Sequence, residues 1–117
     1  MSEIKTAQPM LREISIDVNG TGATPAASGS DMYLFDSITD NGVGDYTINL
    51  SKRYMSLAGK NIRVKSIVPI GDFAHFYVNA VTTTTVNVKF FAADGTTAKD
   101  CDFSILLELN DAKFLTK

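Results

Sequence analysis

The side chains best suited to catalysis in this sequence are its one histidine, His75, and its one cysteine, Cys101. A nucleophilic Ser, Thr or Cys needs a base beside it, and a carboxylate usually holds that base. In a strand, His75 shares a face with Phe73 and Tyr77, which predicts a half-buried neighbour of aromatic rings rather than a general base. A reactive thiol needs a base or a positive field, and an acidic residue follows Cys101. The sequence therefore predicts that Cys101 is a small packed or edge residue, and it predicts no catalytic residue and no enzyme.

Metal ligands are few or scattered. A structural zinc site takes about four Cys or His ligands, and the chain has one of each. Aspartates gather near two predicted turns, as Asp36, Asp40 and Asp45 at one and Asp94, Asp100 and Asp102 at the other. The spacing of a calcium loop with its closing Glu is absent, and Asp residues in turns commonly bond to their own backbone. We expect turn chemistry here, no metal site and no cofactor, with an Asp-bound calcium ion as the alternative.

The composition predicts a protein whose partners are proteins. The chain has 117 residues, a net charge of -2 from 11 basic and 13 acidic side chains, and a hydrophobic share of 44%. Its basic residues are scattered, and Arg63 and Lys65 share one strand face, which favours a solvated surface over a phosphate track. Neither a cleavable signal pattern nor an apolar run of spanning length is visible. We expect no nucleic acid, no membrane and no small-molecule substrate.

Alternating apolar and polar residues predict β-strands along nearly the whole chain. The predicted strands span 11–18, 31–38, 44–50, 60–70, 73–81, 86–91 and 102–109. Turn signals recur about every ten residues, and Asp94-Gly95 is a typical hairpin pair. Seven or eight short strands at this spacing predict an all-β antiparallel sandwich or barrel. It forms a single domain over 11–117, and 1–10 forms an N-terminal arm.

The connections are predicted from composition. Segment 19–30 is built of small and polar residues, which gain too few contacts to offset their ordering, so we expect a long surface loop. Segment 51–59 could form one or two helical turns, and Asp40-Asn41-Gly42 together with Gly44 predicts a turn. Pro69 removes a ladder donor, which predicts that it ends or bends its strand. One face of that strand carries Ile62, Val64 and Ser66.

Bulky apolar residues occupy both faces of two neighbouring strands in the last third of the chain. A strand with one face in water carries polar residues on that face, so this pattern predicts a second buried surface. The candidates for a subunit interface are Phe73, Phe76, Tyr77 and Phe91. Cover by the loop predicted over 19–30 is the alternative.

Five successive segments carry a resemblance to a known group of proteins. They are VKSIVPI, HFYVNAV, TTTTVNVKFF, ADGTTA and DCDFSILLEL, and GDYTINL precedes them. The succession resembles small tailed-phage virion proteins, especially capsid decoration or cement proteins and related head or tail fibre modules. It covers about the last 75 residues.

This resemblance implies a jelly-roll-like β-sandwich that forms a homotrimer and stabilises the shell by contacts with the major capsid protein. The protein would be made in the host cytoplasm and lie on the outer capsid surface of the virion. The arm would then offer Ile4, Pro9 and Met10 to a groove or strand edge, with a frayed terminus as the alternative. A head or tail fibre module that binds a host receptor or glycan is the second hypothesis. A small hydrolase or a calcium-dependent lectin is the third.

Overall fold

The computed structural model describes residues 10–30, 32–51, 60–71 and 73–111, with side chains for 13–30, 32–51, 62–71 and 73–109. Within these ranges the helical structure is one 3-10 turn at Met32–Leu34. The strands are β1 (Met10–Asn19), β2 (Ala26–Gly29), β3 (Phe35–Gly42), β4 (Asp45–Leu50), β5 (Lys60–Ile70), β6 (His75–Val81), β7 (Thr85–Phe91) and β8 (Asp102–Asp111). The predicted all-β class, with seven or eight strands, is confirmed.

The strands form two four-stranded antiparallel sheets, in the orders β2-β1-β8-β5 and β3-β4-β7-β6. Three connections, β1–β2, β3–β4 and β6–β7, are hairpins inside one sheet, and the others carry the chain between the sheets. Strand β8 lies between β1 and β5, and β7 lies between β4 and β6. The outer strands β2, β5, β3 and β6 each pair with one neighbour, so within the described part of the chain one side of each backbone has no partner strand.

The two sheets pack face to face through side chains that alternate along the strands. The buried rows are Ile14, Ile16 and Val18 in β1, Tyr46, Ile48 and Leu50 in β4, Val86, Val88 and Phe90 in β7, and Phe103, Ile105, Leu107 and Leu109 in β8. The rings of Phe90 and Phe103 meet across the sheets with centroids 4.7 Å apart. Burying one such side chain contributes about 1.5–3 kcal/mol, so these rows are the main source of stability.

The surface loop predicted over 19–30 is partly a strand. β2 pairs in register with the last four residues of β1, and the Ser30 amide donates to the Ser15 carbonyl at 3.1 Å. Ala, Ser and Gly have low strand propensity, so the composition gave no strand signal. The open side of β1 supplies the hydrogen-bond partners that order these residues.

The region around the first predicted turn also differs. The strand predicted over 31–38 begins at Phe35 and continues through the predicted Asp-Asn-Gly turn to Gly42. The chain reverses at Gly44, the last residue of the predicted turn, where φ is +69° and the carbonyl accepts the amide of Phe90 at 2.8 Å. The helical turn predicted over 51–59 lies outside the described residues, except for residue 51.

Strand β5 continues through Pro69, which lies opposite Phe103, and ends at Ile70. Proline is tolerated there because β5 is an edge strand. Its missing backbone N–H costs no hydrogen bond between strands on the side of β5 that has no neighbouring strand. The strand predicted over 60–70 is thus confirmed, and of the two effects expected of Pro69, ending or bending the strand, the first is wrong by one residue.

Candidate protein-binding edge

One open side of the sandwich exposes aromatic side chains around the β5–β6 connection and strand β6. We call Phe73, Phe76, Tyr77 and Phe91 the aromatic edge. Phe73 is 61% exposed, Phe76 40% and Tyr77 47%, and Phe91 is half-buried. A concentration of large apolar side chains at one side of a small domain is typical of an interaction surface.

The aromatic edge spans both faces of β6, as the sequence predicted. Phe76 lies opposite the buried Phe90 and points toward the core side, whereas Tyr77 lies opposite Lys89 on the outer face. The ring of Tyr77 stacks on Phe91, with centroids 5.7 Å apart and an interplanar angle of 6°. The side chain of Phe76 remains exposed because β6 is the last strand of its sheet.

An open groove of about 470 Å³ lies where β5 ends and β6 begins, lined by Pro69, Gly71, Phe73, Ala74 and Phe76. Ala74 is buried, whereas the rings of Phe73 and Phe76 are exposed. The Nζ of Lys99 donates to the Phe73 carbonyl at 2.9 Å, which fixes the chain at this point. The groove is thus an apolar surface site, and the ends of β5 and β6 position the residues that line it.

The segment 19–30 does not cover the aromatic edge. Its strand, β2, lies at the far edge of its sheet, and both β1 and β8 separate it from β5. The exposed fractions of Phe73, Phe76 and Tyr77 agree with this placement. Cover by this segment, the alternative considered for the apolar pattern, is therefore excluded.

Three further exposed apolar residues, toward the ends of β5 and β6, were not predicted from the sequence. Val68 is 54% exposed and Ile70 47%, although a continuous alternation from Ile62 and Val64 would turn both inward. A register shift between Val64 and Ser66 reverses the faces. Val81, 44% exposed, lies at the other end of β6. A bulge leaves no dependable signal in an alternating sequence pattern, so the exposure of Val68 and Ile70 could not be predicted from the sequence.

The reversal is visible in the pairing of β5 with β8. Val64 lies opposite the buried Leu107, and Ile67 opposite the buried Ile105. Ser66 lies opposite the half-buried Leu106 and is exposed. The shared face of Ile62, Val64 and Ser66 predicted from sequence is therefore wrong at its last member.

His75 is exposed, not half-buried as its aromatic neighbours suggested. Its ring meets that of Phe73 edge-on, with centroids 5.0 Å apart, and its Nε2 lies 3.2 Å from the carbonyl oxygen of Ala93. A protonated Nε2 would donate to this carbonyl. The contact joins the start of β6 to the β7–β8 connection, which is a structural role.

The aspartates of the predicted turns bond to neighbouring backbone and hydroxyl groups. Asp94 Oδ1 accepts the amides of Thr96 and Thr97, both at 2.9 Å, and its Oδ2 accepts the Thr97 hydroxyl at 2.6 Å. These bonds, led by the Thr97 hydroxyl, lower the pKa of Asp94 to about 2. Asp102 Oδ1 accepts the Thr21 amide at 3.0 Å. Among the described residues, no group of three His, Cys, Asp or Glu side chains is placed to hold a metal ion.

The hydroxyl of a buried tyrosine joins the β1–β2 and β7–β8 connections. The hydroxyl of Tyr46 lies 2.8 Å from the Gly20 carbonyl oxygen and 3.0 Å from Asp100 Oδ1, and it accepts the Cys101 amide at 3.3 Å. Burial raises the pKa of Tyr46 far above its ordinary range, although the Cys101 amide opposes the shift. Cys101 is itself buried, which selects the packed residue from the two predicted alternatives, packed or edge.

The basic residues of β5 are held by acidic neighbours. Arg63 lies 3.4 Å from Glu108, and Lys65 lies 2.9 Å from Glu13 and 4.0 Å from Glu108. The hydrogen bond to Glu13 raises the pKa of the exposed Lys65. These contacts balance the positive charge of the strand.

The outer face of the second sheet carries a chain of amide contacts beside Tyr77. The Asn79 amide donates to Asn87 Oδ1 at 2.9 Å, and the Asn87 amide donates to Asp45 Oδ1 at 2.7 Å and Thr47 Oγ1 at 3.2 Å. Farther along, the Asn49 amide donates to Thr39 and Ser37. This face is polar and nearly neutral, and the aromatic edge borders it.

The predicted arm is largely beyond what the structure describes. Ile4 and Pro9 lie outside the described residues. Met10 is the first residue of β1 and pairs with Asp111, so the strand begins one residue before the boundary predicted from sequence.

Comparisons of the chain with protein-family models, with curated proteins and with solved structures found no match. In the described part of the chain, no helix has the length and apolar character needed to cross a membrane. The geometry and the sequence resemblance are therefore the basis for a functional proposal.

Proposed function

We propose that this chain is a phage virion structural protein that decorates or cements the capsid by docking the groove at Phe73 onto the major capsid protein. The observation that carries the proposal is the open apolar groove, with Phe73 standing 61% exposed at its rim. Large aromatic residues set into a pocket on the partner are frequent anchors of protein interfaces. The resemblance of the last strands to decoration proteins names the partner class.

The groove favours a protein over a small molecule as its ligand. Small-molecule sites enclose most of their ligand and aim a few polar side chains at it. This groove is open, and its described lining contains no charged or hydroxyl side chain. Such a surface gains its binding energy from apolar area, which a protein partner supplies.

Finer features of the proposal follow from the resemblance. Eight strands in two four-stranded sheets agree in number with a jelly roll, and we retain that jelly-roll-like architecture as part of the proposal. The protein would lie on the outer surface of the shell, with Ile4, Pro9 and Met10 as further contacts. The resemblance implies a homotrimer, and the solution mass of the protein tests that number directly.

Co-sedimentation with undecorated shells of the cognate major capsid protein tests the function. The wild-type chain is expected to pellet with the shells in a saturable manner. The Phe73→Ser variant should bind at least tenfold more weakly, because losing an anchoring aromatic side chain costs about 2 kcal/mol or more.

Val43→Ser is the matched control, since Val43 is 60% exposed, lies in the β3–β4 turn and is not among the residues that line the groove. This variant should bind shells as the wild type does. A wild-type chain that stays in the supernatant at every concentration would exclude capsid decoration, and equal loss in both variants would exclude the groove as the contact.

A fibre module that binds a host glycan is the second candidate. It is favoured by the neutral amide face of Asn79 and Asn87 beside the Tyr77 ring, because sugars offer hydroxyl groups to amides and an apolar face to aromatic rings. Binding to host cells or to immobilised glycans, with no affinity for shells, would select this function. Shell binding without glycan binding would exclude it.

A further inference from the structure

Three of the four edge strands carry features that discourage pairing with another chain. β2 has four residues. β3 carries Asp36 and Asp40 and has two register shifts. β5 carries Arg63, Lys65 and Pro69, with a register shift near Lys65. Short length, charge, proline and bulges are the means by which proteins protect sheet edges.

Strand β6 lacks most of these features. Its seven residues, HFYVNAV, include no Asp, Glu, Lys, Arg or Pro. Its single register shift lies between Val78 and Ala80, so the stretch from His75 to Val78 is regular. An exposed, regular and aromatic edge of this kind is a template for another strand.

The pairing with β7 shows which backbone groups of β6 point outward. The Phe90 amide donates to Gly44, and the Phe90 carbonyl accepts from Lys99, both on the side away from β6. Phe90 and Phe76 therefore form a non-hydrogen-bonded pair, and the N–H and C=O of Phe76 point away from β7. Because the pattern alternates along a strand, the same groups of Val78 also point outward, while those of Tyr77 face β7.

We propose that β6 pairs with β6 of a second copy of this chain, antiparallel and across a two-fold axis at Tyr77. In this register Phe76 of each copy lies opposite Val78 of the other, and these residues exchange about four main-chain hydrogen bonds. The two four-stranded sheets then form one continuous sheet. Phe76 lines the groove and also lies in the paired stretch, but the pairing uses the main chain of Phe76 and Val78 and does not use Phe73. The pairing therefore does not depend on capsid binding.

The identity of the second strand follows from charge and from register. Two-fold pairing brings the same strand of both copies together, so a charged side chain would lie close to a like charge of the other copy. Strand β6 contains no Asp, Glu, Lys or Arg, so it avoids this repulsion. Tyr77 meets the other Tyr77 on the outer face, where a cross-strand aromatic pair is favourable. On the core side, Phe76 gains cover from Val78 of the second copy.

Other registers are poorer. An axis at Val78 would place Phe76 opposite Ala80, which follows the register shift and lies opposite Asn87. An axis at Phe76 would place Val78 opposite Ala74, which precedes β6. The axis at Tyr77 alone uses two regular residues from each copy, and the result is a pair of chains rather than the trimer that the resemblance implies.

Cysteine cross-linking tests the register in the full-length chain. In a non-hydrogen-bonded antiparallel pair the Cα atoms lie about 4.5 Å apart, a distance that a disulfide bridges. Tyr77→Cys should therefore give a covalent dimer under mild oxidation on a non-reducing gel. Asn79→Cys, on the same face and strand, should not, because its symmetry mate lies about four residues away and His75 faces it instead. The native Cys101 is buried.

Charge reversal tests the association itself by light-scattering mass. The wild type should have the mass of two chains, while Tyr77→Lys and Tyr77→Glu should each be monomeric because like charges face each other across the axis. An equimolar mixture of the two variants should recover a heterodimer. The control Val43→Lys, at another exposed apolar site, should remain paired.

Four results would overturn this inference: a monomeric or trimeric wild type, a Tyr77→Lys variant that remains paired, a mixture without heterodimers, or equal cross-linking from positions 77 and 79. Shell binding by a monomeric Tyr77→Lys variant would leave the capsid proposal intact while separating it from self-association. Conversely, a paired wild type that binds no shells would leave the pairing and exclude the decoration function.

Discussion

Tyr46 places a hydroxyl group at one end of the apolar core, and that group contacts two separate chain segments, at Gly20 and at residues 100–101. Tyr46→Phe keeps the ring contacts with Phe90 and Phe103 but leaves the Gly20 carbonyl and the Cys101 amide without this partner. Leaving buried polar groups unsatisfied costs about 1–3 kcal/mol. We expect the free energy of unfolding, measured by urea denaturation, to fall by that amount.

Tyr77→Phe is the control for the loss of a tyrosine hydroxyl, because the Tyr77 side chain is 47% exposed. Removing a surface hydroxyl should change the free energy of unfolding by less than about 0.5 kcal/mol. Equal stability of the Tyr46→Phe variant and the wild type would show that the hydroxyl network contributes nothing to folding.

The Tyr46 phenol also predicts an alkaline dependence of stability. Its pKa is raised by burial in the folded state, from an ordinary value of 10.0. Above pH 10 the unfolded chain releases this proton and the folded chain retains it, so the free energy of unfolding falls as pH rises, by up to about 1.4 kcal/mol per pH unit. Urea denaturation between pH 9 and pH 11 should show a shallower decline for Tyr46→Phe than for the wild type. Parallel curves would contradict this origin.

Asp94 predicts the opposite dependence at acid pH. Its pKa is lowered from 3.8 to about 2 by hydrogen bonds from Thr97 and Thr96. These hydrogen bonds stabilise the folded state fully above pH 3.8, and their contribution is lost as pH falls toward 2, because the carboxylate that accepts them becomes protonated. Asp94→Asn should therefore lose less thermal stability than the wild type between pH 5 and pH 2. An NMR titration of the Asp94 carboxyl with a midpoint near 4 would contradict the prediction.

At the scale of elements, the sequence predicted the strands that carry a buried row. β1, β4, β7 and β8 alternate cleanly because one face of each meets the other sheet, and that burial imposes the period of two. β2 was missed because Ala26–Gly29 has no such row and is ordered by main-chain pairing. The inward face of β5 was only half predicted, because the register shift at Lys65 breaks the period.

The turn between β3 and β4 depends on a glycine in a crowded position. At Gly44 φ is +69°, and an added Cβ would lie 2.6 Å from the carbonyl oxygens of Lys99 and Phe90. Gly71 has φ +89° with no atom within 4 Å of that position. Gly71→Ala should therefore cost only the backbone strain, about 1–3 kcal/mol. Gly44→Ala should cost about 1–3 kcal/mol more, for the overpacking.

Thermal or urea denaturation of both variants measures these costs. Because both glycines have positive φ, the difference between the variants isolates the contact with the neighbouring carbonyl groups. Equal destabilisation would show that the β3–β4 turn moves to accommodate a methyl group.

At the scale of the whole molecule, the four aromatic residues of the edge were predicted from their occurrence on both parities of adjacent strands. The sequence could not show that they lie at an open side. That property depends on the strand order, which makes β6 the last strand of its sheet and leaves Phe76 exposed on the core side. Strand order arises from contacts between distant segments, and a local alternation carries no information about it.

The open edge predicts a concentration-dependent pattern of amide exchange. The Tyr77 amide faces Lys89 inside the sheet and should be protected at every protein concentration. The Phe76 and Val78 amides point outward and should exchange quickly in dilute solution, then slowly as pairing engages them. In Tyr77→Lys they should exchange quickly at all concentrations. Hydrogen–deuterium exchange by NMR resolves these adjacent amides, and protection of Phe76 and Val78 that does not vary with concentration would contradict two-fold pairing of β6.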